Sequence, residues 1–415
     1  MKKNKYIWFF TNSEPNQLDN TNVKLRRHGQ LMKYLSQKNY KILCFTSNFS
    51  HFEKKYRTKF SQLYKINKNL YFFAMSSIKY EKNISFKRYL NQFMLNFKFK
   101  SFIKSLKKPD LIILSIPPID SAVSFANYAK KYNVPLISDF RDMWPDIIPL
   151  TLNPLMRILF LPFFFLMNYN LTRIRSSSSY LISVSKGMLK WIKDKDKKQI
   201  KSDYIYLSHF IDRPLSYNKL NKDKIKIFYS GVVSTANNMQ YFLKMIDLLP
   251  SVLKNKIEIN IAGYGDQYNL CESKNYKFTN FLGWVNQDEI KKLASISNFG
   301  LVTYKPRIDF LNNIPNKISE YLGYGLPVLT TIKGESFEIL EQKKCGMYID
   351  LDNFDEFKRN IERLFSFDDK NYLELRNKCR ETFEEKFDSH NNLKKYEDII
   401  KETINEIPKQ KIQKN

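Results

Sequence analysis

The chain has 415 residues, 43% of them hydrophobic and 15% aromatic. That is too long for one compact core and too apolar for a disordered chain, so two domains are expected. The formal net charge is +28 and uneven: residues 1–200 carry 36 Lys and Arg against 11 Asp and Glu, residues 201–415 carry 33 against 30.

A cationic first half calls for an anionic partner: nucleic acid, a membrane surface or a phosphorylated substrate. No zinc finger, RNP-type run or other nucleic-acid module is visible, which sets nucleic acid aside. Cys44, Cys271, Cys345 and Cys379 are dispersed, form no CxxC pair, and imply neither a disulfide framework nor a metal site. The start MKKNKYIWFF is basic, but its apolar run is too short for a signal peptide. Together with reduced thiols this points to the cytoplasm.

In chain order, apolar runs predict strands at 6–10, 41–47, 110–116, 135–140 and 180–185. Helical periodicity lies at 26–39 and 121–133. The stretch PLMRILFLPFFFLMNYNLTRIR, 154–175, has an apolar centre at 158–167 flanked by Arg157, Arg173 and Arg175. That centre is about half the length needed to span a bilayer. Two placements stay open: a helix lying at an anionic membrane surface, or a buried helix of the first domain. Lys54, Lys55, Arg57 and Lys59 add to the cationic side of that choice.

The pattern then restarts. Strands are expected at 224–231, 256–265, 299–305 and 325–331, with helices at 240–253 and 287–297. Strand–helix alternation implies parallel sheets with helices on both faces. The predicted class is therefore α/β, with two doubly wound Rossmann-like domains facing across a cleft. Domain boundaries are set at 1–207 and 208–389, in a polar stretch near 208–224 containing Pro214. A helix over about 390–415 is expected to pack back on the first domain. Ligands of such sheets bind beyond the carboxyl ends of the strands.

One motif poses a physical question. In IPNKISEYLGYGLPVLTT, 314–331, Glu320 sits inside an apolar helix-like run with Lys317 one turn before it. Burying an unpaired carboxylate is costly, so Glu320 pairs with Lys317 on a surface or meets a ligand.

The blocks FYSG (228–231), NIAGYGDQ (260–267), NFLGWVNQDEI (280–290), PNKISEYLGYGLPVL (315–329) and GESFEILEQKKCGMYID (334–350) occur in an order that resembles the retaining GT-B glycosyltransferases of family 4. IPPIDSAVSFANYAKKYNVPLISDFRDMWPD, 116–146, is similar to the subgroup that builds bacterial surface polysaccharides such as O-antigen or capsule from N-acetylated amino- or deoxyaminosugars. The resemblance implies a nucleotide-sugar donor, UDP-linked, and a lipid-linked (polyprenyl diphosphate) glycan acceptor. It implies work at the anionic inner face of the plasma membrane, with no cofactor and no metal. Glu320 would accept from the ribose hydroxyls. Gly231, Gly263 and Gly265 would line the donor phosphates and nucleotide, with Asn316, Tyr321 and Leu322 beside them. Trp284 would line the base pocket or belong to the core.

The chain departs from the family pattern at three places. Asn312 stands where most members carry an acid that touches the sugar. VVSTANNMQ follows Gly231 where many members carry an Arg and a Lys, so the diphosphate charge falls to Lys317, with Lys305 and Arg307 as runners-up. The loop at 11–22 has no glycine pair. In the first domain, DFRDMWPD places Asp139, Arg141 and Asp142 past a strand end. Asp142 or Arg141 is expected to touch the acceptor or the transferred sugar, with a structural Arg–Asp pair as the alternative. Two rivals remain: a UDP-sugar 2-epimerase of the same fold, and a non-catalytic partner subunit.

Overall fold

The computed structural model describes residues 4–12, 14–19, 24–38, 40–51, 53–81, 85–195, 199–211 and 220–412. Parts of the 11–22 loop and of the 208–224 linker, including Pro214, lie outside the described residues. The chain forms two compact units, one of residues 1–205 with 393–415 and one of residues 206–392.

The first unit is built on an eight-stranded sheet. Its order is Lys201–Tyr204, Tyr180–Ser183, Leu136–Phe140, Leu111–Ile116, Lys5–Phe10, Tyr40–Ser47, Leu70–Met75 and Gln62–Lys65. All neighbours run parallel except the last pair, which is antiparallel. The central strands are buried along almost their whole length, which is why they appear as unbroken apolar runs. The order reverses between Lys5–Phe10 and Leu111–Ile116, which makes a switch point at their carboxyl ends.

Two helices of this unit depart from the usual amphipathic plan. Helix Phe86–Phe102 turns Arg88, Asn91, Gln92, Leu95 and Phe99 inward. Phe86, Leu90, Phe93 and Phe97 stay exposed, at spacings of four, three and four. The expected 154–175 segment forms helices Pro154–Leu159 and Leu161–Ser177. Phe164, Met167, Leu171 and Ile174 pack inward, while Leu155, Ile158, Leu159, Leu161 and Phe165 are exposed, Phe165 by 75%. The segment is thus neither wholly buried nor wholly free. Among the described residues, no helix is long and apolar enough to cross a membrane. Helix Ser389–Ile412 sends Leu393, Tyr396, Ile399 and Ile400 into the core of the first unit, beside Ile7 and Phe9.

The second unit carries a six-stranded, wholly parallel sheet. Its order is Thr279–Gly283, Ile257–Tyr264, Ile225–Val232, Phe299–Val302, Val328–Thr330 and Gly346–Tyr348. Counting strands along the chain, this is 3-2-1-4-5-6, the doubly wound dinucleotide order. Its switch point falls between Ile225–Val232 and Phe299–Val302.

Candidate active site

Gly231 lies at the carboxyl end of the first strand of the second unit, with φ +123, a region that L side chains rarely adopt. A Cβ there would also stand 2.9 Å from Lys317 Cε. Gly263 is its register partner on the next strand, and a Cβ at Gly263 would stand 1.9 Å from the Gly231 carbonyl oxygen. Gly265 meets the Val233 carbonyl in the same way, at 2.0 Å. The GxG pair is therefore required by close strand-end packing, and it keeps the Gly231 turn clear of side chains.

Lys317 occupies the space this creates. It sits in the first turn of helix Asn316–Gly323 and is half-buried. Its Nζ donates to the Tyr229 hydroxyl at 3.1 Å and the Tyr304 hydroxyl at 3.3 Å, and lies 4.4 and 5.2 Å from the centres of those rings. Tyr229 belongs to the first strand and Tyr304 follows the fourth, so the amine spans the switch point. Burial lowers the lysine pKa to about 8, with Glu320 pulling the other way. Burial also pushes Tyr304 up to about 12 and Tyr229 well up, so both hydroxyls stay neutral beside the ammonium. A desolvated cation held by neutral groups, beside a glycine turn and a helix N-terminus, is a site for an anion. Neither tyrosine was singled out by sequence.

Glu320 is one turn further along and half-buried. Gln287 Nε2 donates to the Tyr324 hydroxyl at 2.8 Å and lies 3.4 Å from Glu320 Oε1. Asn316 is exposed at the helix start. Tyr321 and Leu322, expected beside the donor, are both fully buried, and the Tyr321 hydroxyl accepts the Ser230 N–H at 2.9 Å. Tyr321 thereby ties helix Asn316–Gly323 to the strand that ends in Gly231. The Asn312 side chain donates to the Ile308 carbonyl at 2.9 Å. Of the other cations, Arg307 is held by Asp309 through two bonds of 2.6 and 2.7 Å. Lys305 is exposed and lines a polar pocket with Ser234, Asn237 and Gln267. Trp284 is 75% exposed at the end of strand Thr279–Gly283, which excludes a core role.

In the first unit the switch point holds a buried ionic cluster. Arg141 pairs with Glu14, and the same carboxylate accepts the His28 N–H at 3.0 Å. His28 Nε2 lies 2.9 Å from Asp139 Oδ2, and Arg27 Nε lies 3.0 Å from it. Burial alone would raise the Glu14 pKa; Arg141 and His28 outweigh it and hold the acid well below the usual carboxylate range. Asp139 is completely buried, and Arg141 is committed to Glu14. Arg141 thus forms an Arg–Glu pair, where the sequence offered a sugar or acceptor contact or an Arg–Asp pair. Asp142 is exposed, and its charge acts on Arg88. Sequence reading missed Glu14 because 127 residues separate it from Arg141.

Residues 215–386 match the family model described as glycosyl transferases group 1. Solved structures of similar fold include sucrose-phosphate synthase from Thermosynechococcus elongatus, 11% identical over 96% of this chain and 98% of that one, with a TM-score of 0.71. The Anabaena HepE protein in complex with UDP and glucose is 12% identical over 96% and 99%, with a TM-score of 0.64. The lipopolysaccharide outer core galactosyltransferase WaaB is 12% identical over 98% and 99%, with a TM-score of 0.61. No match is found among curated proteins. At these identities the structural likeness establishes architecture: the chain has the GT-B fold of two Rossmann-like units. The group 1 domain, carried by the second unit, makes it a glycosyltransferase.

Proposed function

We propose that the protein transfers a sugar, an N-acetylated amino- or deoxyaminosugar, from a UDP-linked donor to a lipid-linked glycan, with retention, as a family 4 enzyme of bacterial surface-polysaccharide synthesis. The observation that carries this is the Lys317 ammonium, held under the Gly231 turn by two neutral tyrosines at the switch point of the second unit. The donor diphosphate would lie against the Gly231 backbone and this ammonium. Glu320, one helical turn away, would accept from the ribose hydroxyls, and those bonds would offset its desolvation. Exposed Trp284 would stack on the base. As the sugar–phosphate bond breaks, charge builds on the leaving diphosphate, where a fixed cation stabilises it most. No enzyme nucleophile or metal enters this scheme, so EDTA should leave turnover unchanged. The complex of the Anabaena protein with UDP and glucose supports a UDP donor.

The lipid-linked acceptor and a peripheral position on the cytoplasmic face of the membrane rest on the first unit. Its exposed stripe Phe86, Leu90, Phe93 and Phe97 and the exposed Leu155, Ile158, Leu159 and Phe165 are accompanied by Lys87, Lys100, Arg157 and Arg173. Apolar side chains among cations fit an anionic lipid surface. The test is transfer of labelled sugar from a panel of UDP-sugars to polyprenyl-diphosphate-linked acceptors, with the anomeric configuration of the product read by NMR. Transfer with inversion, or UDP-sugar epimerisation without acceptor, overturns the proposal.

A further inference from the structure

We infer that a second pocket, within the first unit, binds the hydrocarbon chain of a lipid phosphate next to its phosphate end. The inference rests on the lipid-linked acceptor proposed above and identifies where its lipid would be held. The pocket is a narrow slot open to the surface, with a cavity volume of about 40 Å³. Its apolar walls are Ile119, Trp144, Phe160, Phe163, Phe164 and Met167, drawn from three separate segments of the chain. Such a lining favours hydrocarbon over water.

Five polar side chains share this lining: Ser85, Arg88, Tyr89 and Gln92, which cap or belong to helix Phe86–Phe102, and Asp120, whose carboxylate accepts from Asn170 Nδ2 at 2.9 Å and whose pKa is pushed up to about 6 by burial. The buried Arg88 guanidinium lies 4.8 Å over the Trp144 ring and contributes a positive charge. Tyr89 Oη and Gln92 Nε2 are buried and have no hydrogen-bond partner. Buried donors left unmet are costly, and a ligand oxygen would recover that cost. A chain-bearing phosphate meets both demands, with carbon against the rings and oxygen against Arg88, Tyr89 and Gln92. The route in is also on the surface: exposed Phe86 lies 6.2 Å from Phe163, edge to face, so the pocket's aromatic lining continues into the exposed apolar stripe.

The test uses the full chain with farnesyl phosphate, dodecyl phosphate and inorganic phosphate as probes, read by calorimetry below the micellar range. Farnesyl or dodecyl phosphate should bind at least tenfold more tightly than inorganic phosphate, and the preference between them separates an isoprenoid from an acyl source. Ile119→Trp, which fills the slot, should weaken lipid phosphate binding at least tenfold while keeping thermal stabilisation by UDP. Tyr89→Phe, which removes one hydroxyl, should weaken it several-fold with the fold intact. Phe165→Ser should keep lipid phosphate binding while losing affinity for vesicles. Equal binding by wild type and both pocket variants, or no advantage of the lipid phosphates over inorganic phosphate, overturns the inference. UDP stabilisation separates the two readings: its absence in wild type counts against the donor site and leaves the pocket standing if farnesyl phosphate still binds there.

Discussion

Replacing Lys317 by Met should make the free protein more stable and the donor site weaker at once. The lysine pKa lies near 8 against an ordinary 10.5, so holding the ammonium in place costs about 3 kcal/mol at neutral pH. Methionine removes that cost and forfeits two hydrogen bonds to neutral hydroxyls, about 1 kcal/mol or less each; Tyr229 keeps its bond to the Val232 carbonyl at 2.7 Å. The net gain is roughly 1–2 kcal/mol, a rise of about 2–8 °C in melting temperature for a unit of this size. The sign follows from linkage. The cost is present in full below pH 8 and vanishes as pH rises towards 10.5, so the variant's advantage should shrink over that window. Loss of a charged donor weakens anion binding by about 1.5–3 kcal/mol, tenfold to a hundredfold in the UDP dissociation constant. In wild type, UDP affinity should itself fall above pH 8, by up to about tenfold per unit. Differential scanning fluorimetry with and without UDP at pH 7 and pH 9.5 measures all three effects. A Lys317→Met protein that is less stable at pH 7 and still shows the full UDP shift refutes the reasoning.

Three further outcomes are expected. Glu320→Ala should weaken UDP binding by about 1.5–3 kcal/mol with little change in stability, because the side chain is half-buried at the helix surface; 2′,3′-dideoxyuridine diphosphate should bind wild type and variant alike. Glu14→Gln should destabilise the first unit by about 3–5 kcal/mol, since it leaves Arg141 without its buried counter-charge and His28 with Asp139 alone. Because the Glu14 pKa is lowered in the folded protein, its stabilisation is present above the ordinary carboxylate value of 4.5 and is lost as pH falls below it. Wild-type melting temperature should therefore drop more steeply than the variant's between pH 5 and pH 3. Phe93→Ser with Phe165→Ser should lower partitioning onto anionic vesicles at least tenfold, as each phenyl ring contributes about 1.5–3 kcal/mol when buried; unchanged flotation of the double variant would exclude this face as the membrane contact.

The sequence alone determined the two Rossmann-like halves, since buried parallel strands appear as continuous apolar runs and most helices between them show a regular period. It also singled out Gly231, Lys317 and Glu320, because glycine turns and charges inside apolar runs are local departures from pattern. Helix Phe86–Phe102 escaped because its inward face carries Arg88, Asn91 and Gln92 while its phenylalanines face out, the reverse of the rule that sequence reading applies. Only tertiary structure decided which distant residues meet. Tyr229 and Tyr304 flank Lys317 because strand order brings the first and fourth strands of the second sheet side by side. Arg141, past strand Leu136–Phe140, meets Glu14, past strand Lys5–Phe10, across the intervening strand Leu111–Ile116. Local periodicity follows from the geometry of one helix or strand; adjacency across a sheet follows from crossover connections, whose order leaves no mark on neighbouring residues.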